Sequence, residues 1–122
     1  MTAMVRAIRG ATTVDDDLPQ QIWDRTQTLV REMLARNEVS TEDLVSVIFT
    51  ATADISSAFP ATAARGLGLD EVPLLGGQEL DVAGALPHCI RVLMHCYSER
   101  SRRDIRHVFL EGARVLRSDL AE

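Results

Sequence analysis

Val45-Ser46-Val47-Ile48-Phe49-Thr50-Ala51 is the stretch whose reading decides the fold class. It is a short, nearly continuous apolar run, too brief for a globular helix, and it predicts a strand covered on both faces and lying centrally in a sheet. A doubly covered strand needs a layer on each side of it. The flanking segments must therefore supply further strands and at least one packing helix.

On the N-terminal side, Val5 to Val14 alternates small or apolar residues with arginine and threonine and reads as a strand. Asp15-Asp16-Asp17 then places negative charge where a helix dipole begins, and Pro19 suits a first turn, where its missing N–H has no helical partner. A helix is expected from about Leu18 to Arg36. Ile22, Leu29, Val30, Met33 and Leu34 form its buried side, Asp24, Arg25, Arg31 and Glu32 lie largely elsewhere, and Asn37 is its stop. On the C-terminal side, Pro60 to Arg65 reads as a short helix leaving at Gly66, and Val72 to Leu75 as a brief strand ended by Gly76-Gly77. His88 to Cys96 reads as a strongly apolar strand with Pro87 tolerated at its start. Ser98 to Asp104 is a charged loop, and Ile105 to Leu116 is expected to be a strand with a bulge or turn at Gly112. Helices and strands alternate without repeat or linker, which predicts a mixed α/β sheet in a single domain over residues 1–122.

A net charge of −5 argues against a nucleic-acid interface, which needs a basic face to neutralise phosphates. No segment approaches the ~20 consecutive apolar residues of a membrane span, and no basic region followed by an apolar run opens the chain, so a cytoplasmic location is expected. Cys89 and Cys96, seven apart in one predicted strand, are too distant along it to pair and read as packed thiols. All 13 basic side chains are arginine. Nucleotide bias in the source genome is the plainer cause, yet it leaves a planar fork suited to carboxylates at every basic position.

The residues exclude more chemistry than they nominate. His88 and His95 differ by an odd number of positions and are expected on opposite faces of one strand, too far apart to share a metal. No serine sits in a nucleophile-elbow pattern, neither cysteine has an acid-base partner by sequence, and Gly66-Leu67-Gly68 lacks the further glycine of a phosphate loop. What remains is Arg9 and Arg91 in apolar segments, with Glu79 beside a glycine pair. A lone strand arginine is usually a surface residue with its head in water, so the two make an anion site only if the fold joins them.

From Arg6 to Leu120 the sequence resembles the small monofunctional chorismate mutases of the AroH class. The matching stretches are Ala7-Ile8-Arg9-Gly10-Ala11-Thr12-Thr13-Val14, Ala51-Thr52-Ala53-Asp54, Phe59-Pro60-Ala61 and Gln78-Glu79-Leu80-Asp81-Val82. They continue through Cys89-Ile90-Arg91-Val92 and Ile105-Arg106-His107-Val108-Phe109-Leu110-Glu111 to Leu116-Arg117-Ser118-Asp119-Leu120. The resemblance implies a barrel-like α/β homotrimer with active sites between subunits. Such an enzyme rearranges chorismate to prephenate, towards phenylalanine and tyrosine, without a cofactor or metal.

Carried over by position, the resemblance gives Arg9 to a substrate carboxylate and Arg91 to a carboxylate and the breaking ether oxygen. Glu79 corresponds to the acceptor for the ring hydroxyl. Phe59, Ala61 and Leu116 match pocket-lining positions, Arg65 a basic residue at the mouth from the adjoining subunit, and Leu75 and Gly76 backbone contacts. This chain departs from the family's pattern at Phe109, where tyrosine is common, at Thr62 for a frequent lysine, and at Gly76 for a cysteine. Two other readings attach to the same residues: an imine or enamine deaminase of related trimeric architecture, and a non-catalytic carboxylate-binding trimer.

Overall fold

The computed structural model describes residues 2–116. Its elements are β1 (Met4–Thr13), α1 (Pro19–Arg36), β2 (Leu44–Ala51), β3 (Leu74–Gln78), β4 (Cys89–Ser98) and β5 (Val108–Phe109), with 3-10 turns between them. One sheet in the order β3-β2-β4-β1-β5 joins all five strands. β4 runs antiparallel to both β1 and β2, while the outer strands β3 and β5 pair in parallel. The mixed α/β class expected from the sequence is the class observed. Of the final matched stretch, 116–120, all but Leu116 lies outside the described residues.

Strand pleating sorts the side chains. Ile8, Gly10 and Thr12 of β1, Val47, Phe49 and Ala51 of β2, and Ile90, Val92, Met94 and Cys96 of β4 are buried. Most of them pack with Ile22, Leu29, Val30 and Met33 of α1. Gly10 is where helix and sheet come closest, since a Cβ there would lie 2.4 Å from Met33 Sδ and 3.1 Å from Leu29 Cδ1. Among the described residues the opposite face is covered at one end, where Phe109 and Ala113 pack on Ala11 and Cys89. Elsewhere it is open. Val45 is exposed and Ser46, Ile48 and Thr50 are only half-buried. The double cover expected for 45–51 is thus absent among the described residues, whose one long helix lies on a single face.

Several local expectations are corrected. Gly76-Gly77 do not end β3 but lie inside it, opposite Phe49 and Thr50. Pro60–Leu67 is a 3-10 helix that leaves at Gly68 (φ 78°), not Gly66, because only position 68 takes the left-handed exit conformation. Ile105–Leu116 is not one strand: two residues pair with β1, and a positive φ at Glu111 (51°) turns the chain into a 3-10 segment. His88 also has positive φ (50°) and precedes β4, which runs on to Ser98.

The aspartates before α1 do not serve its dipole. Asp17 accepts hydrogen bonds from the backbone N–H groups of Ser56 and Ser57 and from the Ser56 hydroxyl. Asp15 pairs with Arg25 at 3.1 Å. Arg25 is accordingly no free surface residue, for it also donates to the Thr13 carbonyl at 2.6 Å and lies 3.3 Å from Glu111 Oε2. At the other end of α1 the buried Asn37 donates to the carbonyls of Met33 and Arg106, both at 2.8 Å, and accepts from the Arg106 N–H at 2.7 Å.

Gly10→Ala is expected to lower stability by about 1–3 kcal/mol, the scale of overpacking a filled core. Because the clash is with Met33, that cost should shrink in a Met33→Ala background. Urea unfolding of the two single variants and the double variant checks this; additive losses would contradict the close approach.

Candidate active site

Arg9 and Arg91 are joined by register. β1 pairs with β4 so that Arg91 stands opposite Ala11 and Arg9 opposite Leu93, which makes the arginines diagonal neighbours on the open face. On its other side Arg91 faces Thr50 of β2. Glu79 follows β3 directly, and its N–H donates to the Ala51 carbonyl at 2.9 Å, extending the ladder by one residue. Its side chain therefore reaches the same face. There it accepts a hydrogen bond from the Thr50 hydroxyl and lies 3.7 Å from Arg91 Nε.

These groups line a cavity of about 350 Å³ together with Phe109 and Leu116. The volume is within the range of small-molecule pockets. The glutamate is acceptor-only when ionised, the guanidiniums donor-only. The site therefore suits an anion that also carries a hydroxyl. Arg9 is exposed towards this space, and the side chain of Arg91 keeps 44% of its surface accessible despite the contact with Glu79.

Phe59, Ala61, Arg65 and Gly76 fall elsewhere. They line a second cavity, of about 870 Å³, on the helix-bearing side of the β2–β3 edge, walled also by Trp23 and residues 55–58. Leu75 lines neither space and stands 65% exposed on the edge strand. Phe59 is 79% exposed. The expected site residues thus form two groups on opposite sides of one sheet edge, and a single chain does not bring them together.

Sequence reasoning passed over Thr50, which fixes Glu79, and Asp54 and Asp17, which fix the loop after β2. Asp54 accepts from the His88 N–H at 2.9 Å and the Thr52 hydroxyl at 2.5 Å. Desolvation pushes its carboxyl up, but the Thr52 and His88 hydrogen bonds and the neighbouring His88 charge outweigh this and hold it below its ordinary value. For Asp17 desolvation is likewise outweighed, by hydrogen bonds from Ser57 and Ser56. For Asp54 the signal in the sequence is Thr52 two residues before it, too common to single out, and Asp17 meets Ser56 and Ser57 only through the fold. Burial pushes the thiols of Cys89 and Cys96 up, and both cysteines are free. Among the described residues no three His, Cys, Asp or Glu side chains converge as a metal site. His88 lies 3.9 Å from Asp54, and His95 shares a hydrogen bond with Ser46.

Comparison with known proteins is unambiguous about kinship. The family model for chorismate mutase type I matches residues 5–120. The chain belongs to the type I chorismate mutase family. Chorismate mutase AroH of Thermus thermophilus is 48% identical over 118 residues, spanning 96% of this chain and 97% of that protein. Chorismate mutase AroH of Bacillus subtilis is 43% identical over 119 residues, 97% of this chain and 94% of that one. Among solved structures, a chorismate mutase from Clostridium thermocellum superposes with a TM-score of 0.88 at 47% identity, covering 89% of this chain and 97% of that one.

Asp17 and Asp54 give this family member an acid-sensitive loop. A carboxyl whose folded pKa is depressed contributes stability that is present above its unfolded value, about 3.9, and lost as pH falls through the folded one. The thermal midpoint should therefore fall below about pH 4, and less steeply in Asp17→Asn/Asp54→Asn. Scanning calorimetry from pH 6 to 3 checks this, and an unchanged slope in the double variant would contradict it.

Proposed function

We propose that this chain is a chorismate mutase, an isomerase that rearranges chorismate to prephenate on the face bearing Arg9, Arg91 and Glu79. The observation that carries the reading is the meeting of two strand arginines and a hydroxyl-anchored glutamate in one cavity. The rearrangement breaks an ether C–O bond as a C–C bond forms within one molecule, so it requires no nucleophile, proton carrier or metal. Catalysis is left to selecting the compact chair-like conformer and to stabilising charge that grows on the ether oxygen.

Arg9 binds one substrate carboxylate. Arg91 holds a carboxylate and aims a further N–H at the ether oxygen, a division of labour that a guanidinium fork allows and an ammonium does not. Glu79, oriented by Thr50, accepts from the ring hydroxyl. Phe109 and Leu116 close the apolar side, with no hydroxyl at position 109 to add a bond. Phe59, Ala61, Arg65, Leu75 and Gly76 complete the pocket from a neighbouring copy.

Charge and exposure support that shared site. Arg9 and Arg91 less Glu79 leave one net positive charge for a substrate with two carboxylates; Arg65 of a second copy would supply the other. Exposed Phe59 and Leu75 and the half-covered Ile48 are surfaces that such a contact would bury. Joining two different patches makes the interface heterologous, a kind that forms a ring where its rotation closes, and the reading adopted is a closed, barrel-like homotrimer. One sheet through all described strands supports a single domain. Two free buried thiols, and no described helix long and apolar enough to cross a membrane, fit a cytoplasmic enzyme.

Arg91 carries the test. Arg91→Ala is expected nearly to abolish turnover, and Arg91→Lys to lower kcat by about 10²- to 10³-fold, the scale for one preorganised donor. Arg31→Lys on the exposed side of α1 is the control. Steady-state conversion of chorismate by folded variants measures this; near-wild-type kcat in Arg91→Ala would overturn the mechanism.

A further inference from the structure

The backbone N–H of Arg9 points towards β5, but β5 begins too late to meet it: the parallel pairing covers only Gly10 with Val108 and Ala11 with Phe109. The group that accepts from Arg9 is the imidazole of His107, whose Nδ1 lies 2.9 Å from the Arg9 nitrogen. A side chain thus stands where a strand carbonyl would continue the ladder. His107 is itself held on both sides. Asn37 brackets the preceding residue by binding both the N–H and the carbonyl of Arg106, and Val108 pairs directly after it. The imidazole is therefore placed by the end of α1 and by β5 before it meets β1.

We propose that His107 is a positioning residue for Arg9, and that its protonation loosens substrate binding on acidification. The proposal rests on the assignment of Arg9 to a substrate carboxylate. Accepting the Arg9 N–H requires Nδ1 to be unprotonated, with the ring proton on Nε2. Adding a proton makes both ring nitrogens donors, sets two N–H groups against each other and frees the strand at the residue that carries the guanidinium. Histidine changes charge between about pH 8 and 5, so the contact is complete at the upper end of that interval and lost towards the lower. Among the described residues, the charged and titratable groups lining the cavity beside His107 are Arg6 and Arg9 from β1, His95 from β4 and Arg102 from the preceding 3-10 turn. His95 is the other histidine of this cavity, which makes it the control.

An arginine that grips a carboxylate equally before and during the reaction acts on KM rather than kcat. The wild-type KM for chorismate should rise about three- to tenfold from pH 8 to 5.5, the worth of one hydrogen bond, with a much smaller change in kcat. His107→Asn supplies an amide oxygen near the position of Nδ1 and does not titrate. Its KM should stay near the wild-type alkaline value across the range. His107→Ala should show the raised KM at every pH, and His95→Gln the wild-type profile. A flat wild-type profile, a His107→Asn profile that still rises, or a dependence abolished by His95→Gln would each overturn the proposal.

Arg9→Ala separates this from the reading beneath it. Unchanged KM in Arg9→Ala removes the carboxylate assignment, whereas raised KM there with an unaltered His107→Asn profile removes only the role of His107. Nitrogen-15 spectra of histidine-labelled wild-type protein at pH 8 test the same point without substitution. They should report His107 with a bare Nδ1 and a protonated Nε2, and the opposite tautomer would contradict the contact.

Discussion

A sheet has two faces, and the described residues hold one long helix with which to cover them. That shortage governs the rest of the structure. α1 lies against Ile8, Val47, Phe49, Val92 and Met94, so close that glycine is required at position 10. Of the described residues, the other face receives the Phe109–Ala113 segment at one end. Arginine is tolerated at positions 9 and 91 because its head remains in water there, and the same exposure makes those heads available to a ligand. Had a second helix covered this face, both guanidiniums would need buried partners at a desolvation cost of several kcal/mol per ion.

Strand register then converts shared exposure into a site. Arg9 and Arg91 meet because β1 and β4 pair antiparallel with Ala11 opposite Arg91, and Glu79 joins them because β3 pairs with β2 through Gly76 and Gly77 as far as Gln78, three residues beyond its expected end. Around this centre a set of side-chain bonds holds irregular chain: Arg25 ties the segment after β5 to β1, Asp17 and Asp54 tie the loop after β2, and Asn37 ties Arg106 to the end of α1. Few of these groups touch the cavity themselves. They fix the backbone from which the lining residues project.

The pattern of helix and strands was legible because it rests on period. The α1 stripe of Ile22, Leu29, Val30 and Met33 is the buried stripe observed, although Thr26 joins it unannounced. β-strand ends were less legible. Glycine at 76 and 77 weakens a strand locally but does not prevent parallel pairing with β2, and Ile105–Leu116 has strand composition while the turn at Glu111 follows from tertiary contacts. Elimination left the three core site residues as candidates, but only family resemblance joined them into one site, since lone strand arginines are common and their meeting depends on register. The run at 45–51 carries the most telling mismatch: its composition demands two covers, and the described residues supply one.

The central claim is that a second copy supplies what is missing, and that each pocket takes Arg91 from one chain and Arg65 from another. Mixing Arg91→Ala and Arg65→Ala chains, unfolded together and refolded at equal concentration, tests it directly through chorismate turnover. Each variant alone has no intact pocket, while in mixed rings about a quarter of the sites recover both arginines, because each site draws its two halves independently. Turnover by the mixture well above that of either variant, approaching a quarter of the wild-type rate, is the predicted result. A mixture of folded, exchanged oligomers no more active than its components would contradict the shared site.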